Sequence, residues 1–214
     1  IFSKMYKAIM NPNVSIEENY SLYIYSEDDF ETIKNKLYSD NIIVNRKSFE
    51  WLAKKLDYPK YIKSGHYIIK DGINNNQLLN TLRAGNQTPV KFTFNNIRTI
   101  EQLASRIDEQ LEMDSLDFIY AIQKHDILKT MGFDKYNYAS LFIPNTYELY
   151  WNIDPDEFVD KMIAEYNHFW NEERLNKTKT IGLNPIEVSI LASIVDKETA
   201  KNSEMPRIAG VYLN

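Results

Sequence analysis

The chain has 214 residues, enough for one sizeable core or two modest ones, and its 43% hydrophobic and 26% charged residues are the make-up of a globular protein. Its net charge of −5 comes without the Lys/Arg-rich stripe that a phosphate backbone demands, so nucleic acid is not an expected partner. With no cysteine, structural disulfides and thiolate metal sites are excluded, and no run reaches the ~18 apolar residues of a membrane span.

Ile1, Phe2, Met5, Tyr6, Ile9 and Met10 recur at helical spacing ahead of Asn11-Pro12-Asn13 and mark a first helix with an apolar stripe. The stripe fits a helix packed on its own domain and equally one that follows something apolar. The expectation drawn from it is a juxtamembrane stretch over residues 1–20, preceded by a transmembrane helix. Ser21 to Tyr25 alternates like a strand, and Ser26 with Asp29 resembles a capping pair for a helix through Phe30, Ile33, Lys34 and Leu37. A short Ile42 to Val44 stretch precedes a second helix, with Phe49, Leu52, Ala53 and Leu56 on one face, which Pro59 ends. His66 to Lys70 reads as a strand, Asp71-Gly72 as a turn, Gln77 to Arg83 as a helix stopped by Gly85, and Val90 to Phe94 as another strand. These spans form a weak internal repeat of two β-α-β-like units and assign residues 21–95 to an α+β subdomain.

From Thr99 the pattern turns helical, with Ile100, Leu103, Ala104, Ile107 and Leu111 in phase and a further helix around Leu116 to Ile122, so residues 96–214 read as a second, mainly helical domain. Tyr136 to Trp151 is densely aromatic and broken by Pro144, which suits an ordered loop or a strand-like approach. Pro155 to Leu175 returns to helix, Asn176 to Gly182 reads as a polar loop, and Arg207 to Leu213 as a last helix after Pro206. The apolar Ile208 to Asn214 stretch stops without a polar tail, so both ends read as cut from a longer protein.

The best-marked helix lies between these last two segments. Asn184 is a good N-cap, Pro185 takes the first helical position, and Glu187 sits three residues after the cap. Ile186, Val188, Ile190, Leu191, Ala192, Ile194 and Val195 form an almost wholly apolar body, the pattern of a buried helix, and then Asp196, Lys197 and Glu198 arrive abruptly. The helical period sets Glu198 over Ile194 and Val195, above Leu191, and turns Asp196 to the opposite side. A carboxyl beside large aliphatic groups loses hydration, which suits a general acid. The same spacing also fits the solvated end of a core helix.

Leu191-Ala192-Ser193-Ile194-Val195-Asp196-Lys197-Glu198-Thr199-Ala200, followed by Pro206-Arg207-Ile208-Ala209-Gly210-Val211-Tyr212-Leu213-Asn214, closely resembles the signature of the membrane-anchored endolytic murein transglycosylases, the MltG or YceG-like family. Phe142-Ile143-Pro144-Asn145-Thr146-Tyr147 is similar to that family's second signature, and His66-Tyr67 to Gly85 to the segment that builds its LysM-like subdomain. Asp196 stands where the family usually has Glu, Asn145 where it has Asp, and Ala139-Ser140 where it has Glu-Gly. The resemblance implies an α+β fold, LysM-like β-α-β units followed by a mainly helical catalytic domain that continues beyond the match to Leu213-Asn214.

The implied reaction cleaves the MurNAc–GlcNAc bond of peptidoglycan without water, leaving a 1,6-anhydro-MurNAc end. Most glycosidases need a second carboxylate as nucleophile or base for water. Here the nucleophile is the substrate's own C6 hydroxyl, and an intramolecular attack has so large an effective molarity that one acid/base suffices. By its match to the motif Glu198 is that residue, while Asn145, Thr146, Tyr147 and Thr199 are implied at the substrate. Thr199 fits a helix cap as well, and Tyr147, Tyr150 and Trp151 fit sugar stacking or core equally. The expected partners are glycan strands, the cytoplasmic membrane through an N-terminal anchor, and wall-synthesis enzymes, with the catalytic part outside the membrane. The competing class is a non-catalytic wall-binding module. No cofactor or metal is expected: His66, His125 and His168 lie far apart, and no P-loop, Gly-x-Gly-x-x-Gly or Ser nucleophile elbow is present.

Overall fold

Period-two and helical hydrophobic patterns alternate through the first part of the chain and the helical pattern dominates the rest, and the fold is accordingly mixed α+β. The computed structural model describes residues 2–95 and 97–213, with side chains from Tyr6 on. In chain order the elements are α1 (Phe2–Met10), β1 (Tyr20–Ile24), α2 (Phe30–Ser39), α3 (Arg46–Lys55), β2 (Gly65–Ile69), α4 (Asn75–Ala84), β3 (Val90–Phe94), α5 (Ile100–Gln110), α6 (Ser115–Lys124), α7 (Asp126–Thr130), β4 (Asn145–Leu149), α8 (Pro155–Phe169), α9 (Glu172–Ile181), α10 (Pro185–Glu198) and α11 (Met205–Leu213). Short 3-10 turns occupy Tyr58–Lys60 and Tyr138–Leu141. The chain divides into two units, and both β3 and β4 pass from one to the other within the strand.

The first unit comprises Ile1–Phe92, Gln110–Glu112 and Tyr147–Ile153. Strands β1 and β2 pair antiparallel with Leu22 opposite Tyr67 and Ile24 opposite Gly65. Leu22 and Ile24 point into a core with Ile33, Leu37, Phe49, Tyr67, Leu79 and Leu82, all buried, while Tyr23 and Tyr25 point out. Burying each such side chain contributes about 1.5–3 kcal/mol against the chain entropy it costs to order them. The segment Tyr147–Ile153 joins this unit through Trp151, whose ring meets the edges of Tyr23 and Tyr25 at 5.0 and 4.7 Å, and through Asn152, which donates to Ser64 Oγ at 2.9 Å.

Two expectations change here. The N-cap of α2 is Asp29, which accepts from the Thr32 N–H at 2.8 Å, and not Ser26, whose own N–H donates to Glu112. Of the two strand–helix–strand spans, only the first closes on itself. β1 and β2 pair with α2 and α3 between them, whereas β3 pairs with β4. A true β-α-β crossover would need parallel strands, and β1 and β2 are antiparallel.

Helix α1 packs on α3 and α4, with Ile9 against the core and Tyr6 and Met10 exposed. Ile1, like the Phe2 and Met5 side chains, lies outside the described residues. Behind α1, buried Asn13 and Asn75 tie three segments together. Asn13 Nδ2 donates to Asn75 Oδ1 at 2.6 Å and to the Asn45 carbonyl at 3.1 Å, and Asn13 Oδ1 accepts from the Asn45 N–H at 2.7 Å. Asn75 Nδ2 reaches the Ala8 carbonyl at 2.9 Å and Ser48 Oγ at 3.0 Å. Among the described residues no helix is long and apolar enough to cross a membrane.

The second unit comprises Thr93–Glu109, Met113–Thr146 and Asp154–Asn214. Its core centres on Phe118 of α6, edge-on to Phe142 and to Phe158 of α8 at 5.7 Å each. The expected Pro155 to Leu175 helix is two helices, and the expected polar loop at 176–182 is the body of the second. α8 ends at Trp170, and Asn171, held extended, caps α9 by accepting from the Arg174 N–H at 3.0 Å. Gly182, at φ +73°, supplies the left-handed residue that stops α9.

Candidate active site

The candidate acid stands on a helix whose start is locally determined. Asn184 Oδ1 accepts from the Glu187 N–H at 3.0 Å and Glu187 Oε2 accepts from the Asn184 N–H at 2.8 Å, a complete capping box with Pro185 at the first position. α10 then runs to Glu198, and α11 turns back to pack against it. The 3-10 turn Tyr138–Leu141 packs on α10 as well as on α8, and continues through Phe142-Ile143-Pro144 into β4. The residues that pack on α10 are thus those just ahead of the second signature.

The burial of α10 differs from its sequence pattern. Only Val195 is buried; Ile186, Val188, Leu191 and Ile194 are half-exposed and Ile190 is 42% exposed. Glu198 is itself exposed, so the desolvation expected from its aliphatic neighbours is not present. Composition marks a helix as apolar, but the packing partners that turn an apolar face into a buried one come from elsewhere in the chain.

The turn after Glu198 is locked by residues on its far side. Thr199 is the C-cap, extended at φ −153° and ψ 141°, and its N–H donates to the Val195 carbonyl at 3.3 Å. Its hydroxyl donates to Glu204 Oε2 at 2.9 Å and accepts from the Lys201 N–H at 3.0 Å, while Lys201 Nζ holds Glu204 Oε1 at 3.2 Å. Thr199 therefore caps the helix and pins the turn, with its hydroxyl directed to Glu204 and not to Glu198. No motif marks Glu204 in the sequence; its signal is a carboxylate five residues beyond a helix-ending Thr, just ahead of Met205-Pro206. Among the described residues the Glu198 carboxyl has no hydrogen-bond or ion-pair partner, which leaves it open to a ligand.

Asn145, Thr146, Glu198 and Thr199 all belong to the second unit, and Tyr147 belongs to the first. Asn145 and Thr146 are exposed at the start of β4. Asn145 Oδ1 accepts from the Thr146 N–H at 2.8 Å, and Thr146 Oγ1 lies 2.8 Å from Thr93 Oγ1. Tyr147, Leu149 and Trp151 face inward and are buried, while Glu148 and Tyr150 face outward. Of the three aromatic candidates for sugar stacking, only Tyr150 presents its ring to solvent. His66 is buried with Nδ1 3.0 Å from the Thr88 carbonyl, His125 Nε2 lies 3.1 Å from Asp160, and His168 is exposed.

No curated protein matches the chain. Among solved structures, the 2.6 Å crystal structure of a yceG-like protein from Listeria monocytogenes aligns over 89% of this chain and 67% of that one, at 16% identity and a TM-score of 0.48. The YceG-like family matches residues 22–214, from β1 through the Glu198 motif to the end, and by that match the chain belongs to the YceG-like family.

Proposed function

We propose that the chain is the glycan-cleaving part of an endolytic peptidoglycan lytic transglycosylase, a carbon–oxygen lyase with Glu198 as its one acid/base. What carries the reading is Glu198 itself: a carboxyl in the family's motif, solvent-accessible and unpartnered, at the head of a turn rigidified by Thr199, Lys201 and Glu204. Glu198 gives its proton to the departing GlcNAc oxygen as the bond to MurNAc C1 breaks. The MurNAc C6 hydroxyl oxygen closes on C1, and its proton returns to Glu198, so the acid is regenerated without water. Asn145 and Thr146, exposed on β4, offer hydrogen bonds to the glycan.

In this reading the β1-α2-α3-β2 part of the first unit is a LysM-like glycan-binding element. The protein acts on glycan strands outside the cytoplasmic membrane, held there by an N-terminal anchor, beside the wall-synthesis enzymes whose strands it terminates, and it needs no cofactor.

Glu198→Gln is nearly isosteric and should keep the fold and glycan binding, while release of 1,6-anhydro fragments falls by ~10²-fold to 10⁴-fold, the usual loss for general acid/base catalysis. Asp196→Asn, on the opposite side of α10, should cost far less. Mass spectrometry of digested peptidoglycan, with circular dichroism as folding control, reads both. A folded Glu198→Gln protein with near-normal activity, or an equally inactive Asp196→Asn, overturns the assignment. The exposure of Glu198 supports a second reading, a non-catalytic wall-binding module. It predicts glycan binding by the wild-type chain with no anhydro ends.

A further inference from the structure

The first unit carries a groove of about 520 Å³ between the loop after the Tyr58–Lys60 turn and the outer face of α4. Lys60, Tyr61, Ile62 and Lys63 form one wall and Asn80 and Arg83 the other, a volume in the range of small-ligand sites. The groove is preformed. Ile62 packs against the core, the Tyr61 N–H donates to the Tyr58 carbonyl at 2.8 Å, and the buried Tyr67 hydroxyl donates to the Lys63 carbonyl at 2.9 Å from beneath the loop. On α4 the opposite face, Leu78, Leu79 and Leu82, is anchored in the core.

The charge of this groove is out of keeping with a chain of net charge −5. Some lysines elsewhere hold carboxylates, as Lys34, Lys124, Lys161, Lys177 and Lys201 do within 4.0 Å, and others, such as Lys47, Lys54 and Lys91, hold none among the described residues; what sets this groove apart is that its cations converge on one cleft. Among the described residues, Lys63 and Arg83 have no carboxylate so placed. Lys63 Nζ donates to the Ala84 carbonyl at 3.1 Å, which leaves it two donors, and Arg83 lies 5.0 Å over the Tyr61 ring, which leaves its planar fork open. Lys60 has only Asp57 at 3.4 Å, a solvent-exposed pair worth little. Asn80 spends its Nδ2 on Asn76 at 3.1 Å and keeps its oxygen for a donor. Cations, an aromatic and aliphatic wall and an amide acceptor together match a short peptide bearing carboxylates. A guanidinium fork engages a carboxylate in two parallel hydrogen bonds, and Asn80 Oδ1 accepts a peptide N–H that a simple inorganic anion lacks.

We propose that this groove is a binding subsite for a carboxylate-bearing peptide, and that its source is the acidic peptide stem attached to the glycan. The choice of stem as source rests on the function proposed above; the carboxylate-peptide chemistry does not. The test titrates the wild-type chain with N-acetylmuramyl-L-alanyl-D-glutamate and with the same glycopeptide amidated at its carboxyls, following backbone amide shifts. The free acid should bind at least tenfold more tightly than the diamide, shift residues 60–63 and 80–84, and weaken as salt rises. Arg83→Gln combined with Lys60→Gln, both on exposed surface, should erase that preference with the helical circular dichroism intact. Arg83→Lys should restore it only in part. Equal affinity for acid and diamide, shifts confined to other residues, or a preference that survives the double substitution each overturn the proposal. So does inorganic phosphate or glycerol phosphate binding as tightly as the glycopeptide, which marks a general anion site. No bond is cleaved in this titration, so a chain that yields no anhydro ends can still pass it and an active one can fail.

Discussion

Replacing Asn75 with Ala should loosen the first unit more than any exposed substitution, because its side chain serves three segments at once. Asn75 is 1% exposed, accepts from Asn13 Nδ2, and donates to Ser48 Oγ and the Ala8 carbonyl. Ser48 Oγ keeps its bond to the Asn45 carbonyl and Asn13 Nδ2 keeps one to the same oxygen, so those groups lose only part of their partners. The Ala8 carbonyl lies in the last turn of α1, where no backbone N–H of the helix can reach it, and loses its partner altogether. One orphaned carbonyl and one half-satisfied buried amide, each worth about 1–3 kcal/mol, give an expected loss of about 2–6 kcal/mol, large against a typical domain stability of about 5–15 kcal/mol. Asn76→Ala is the control: it is half-exposed, holds only Asn80, and should cost under about 0.5 kcal/mol. Urea unfolding gives the magnitude. Hydrogen exchange over residues 2–15 and 72–85 gives the place, because α1 should lose protection first. An Asn75→Ala protein as stable as Asn76→Ala, or one in which α1 stays fully protected, would refute the reasoning.

Gly85 and Gly182 share a left-handed φ of +73°, but only Gly85 is crowded, with a built Cβ 2.6 Å from Lys63 Cδ, while nothing lies within 4 Å at Gly182. Both Ala substitutions should lower the urea midpoint by the equivalent of about 1–2 kcal/mol for the conformation alone, and Gly85→Ala should also free Lys63 from Ala84; a neutral Gly182→Ala would sink the conformational argument. At high pH the buried tyrosines set the limit: burial pushes Tyr67 and Tyr166 up to about 12, and Tyr20 reaches about 12 through burial and then its bond to Asp40. Because the folded protein holds these protons more tightly than the unfolded chain, their stabilisation is complete below about 10 and is lost as pH rises through about 12. Tyrosinate absorbance for this group should therefore rise together with loss of helical circular dichroism, and a full titration near pH 10 with the helices intact would contradict it.

Much of the candidate site was legible without coordinates. The Asn184 cap, Pro185 and Glu187 gave both the start of α10 and its phase, because a capping box is written within four residues. The alternation Tyr147, Glu148, Leu149, Tyr150, Trp151 already held the answer to which rings are buried, since a strand sends alternate side chains to opposite faces. The break at Asn171 was legible too, as an Asn followed by two acids, but continuous helical periodicity on both sides masked it.

What the amino-acid order determined by itself is most of the longer elements, the cap of α10, and the position of Glu198 at the end of a helix. Those depend on hydrogen bonds and periodicities that span a few residues. Only the tertiary structure decided that α10 stays half-exposed, that Thr199 turns to Glu204, that β3 pairs with β4, and that Lys60, Lys63 and Arg83 share one groove. Each of these is a property of segments brought together from separate stretches of the chain or of side chains choosing among several partners. Local propensity carries no information about which distant surface will cover a face, because burial is a sum over neighbours that the sequence does not place side by side.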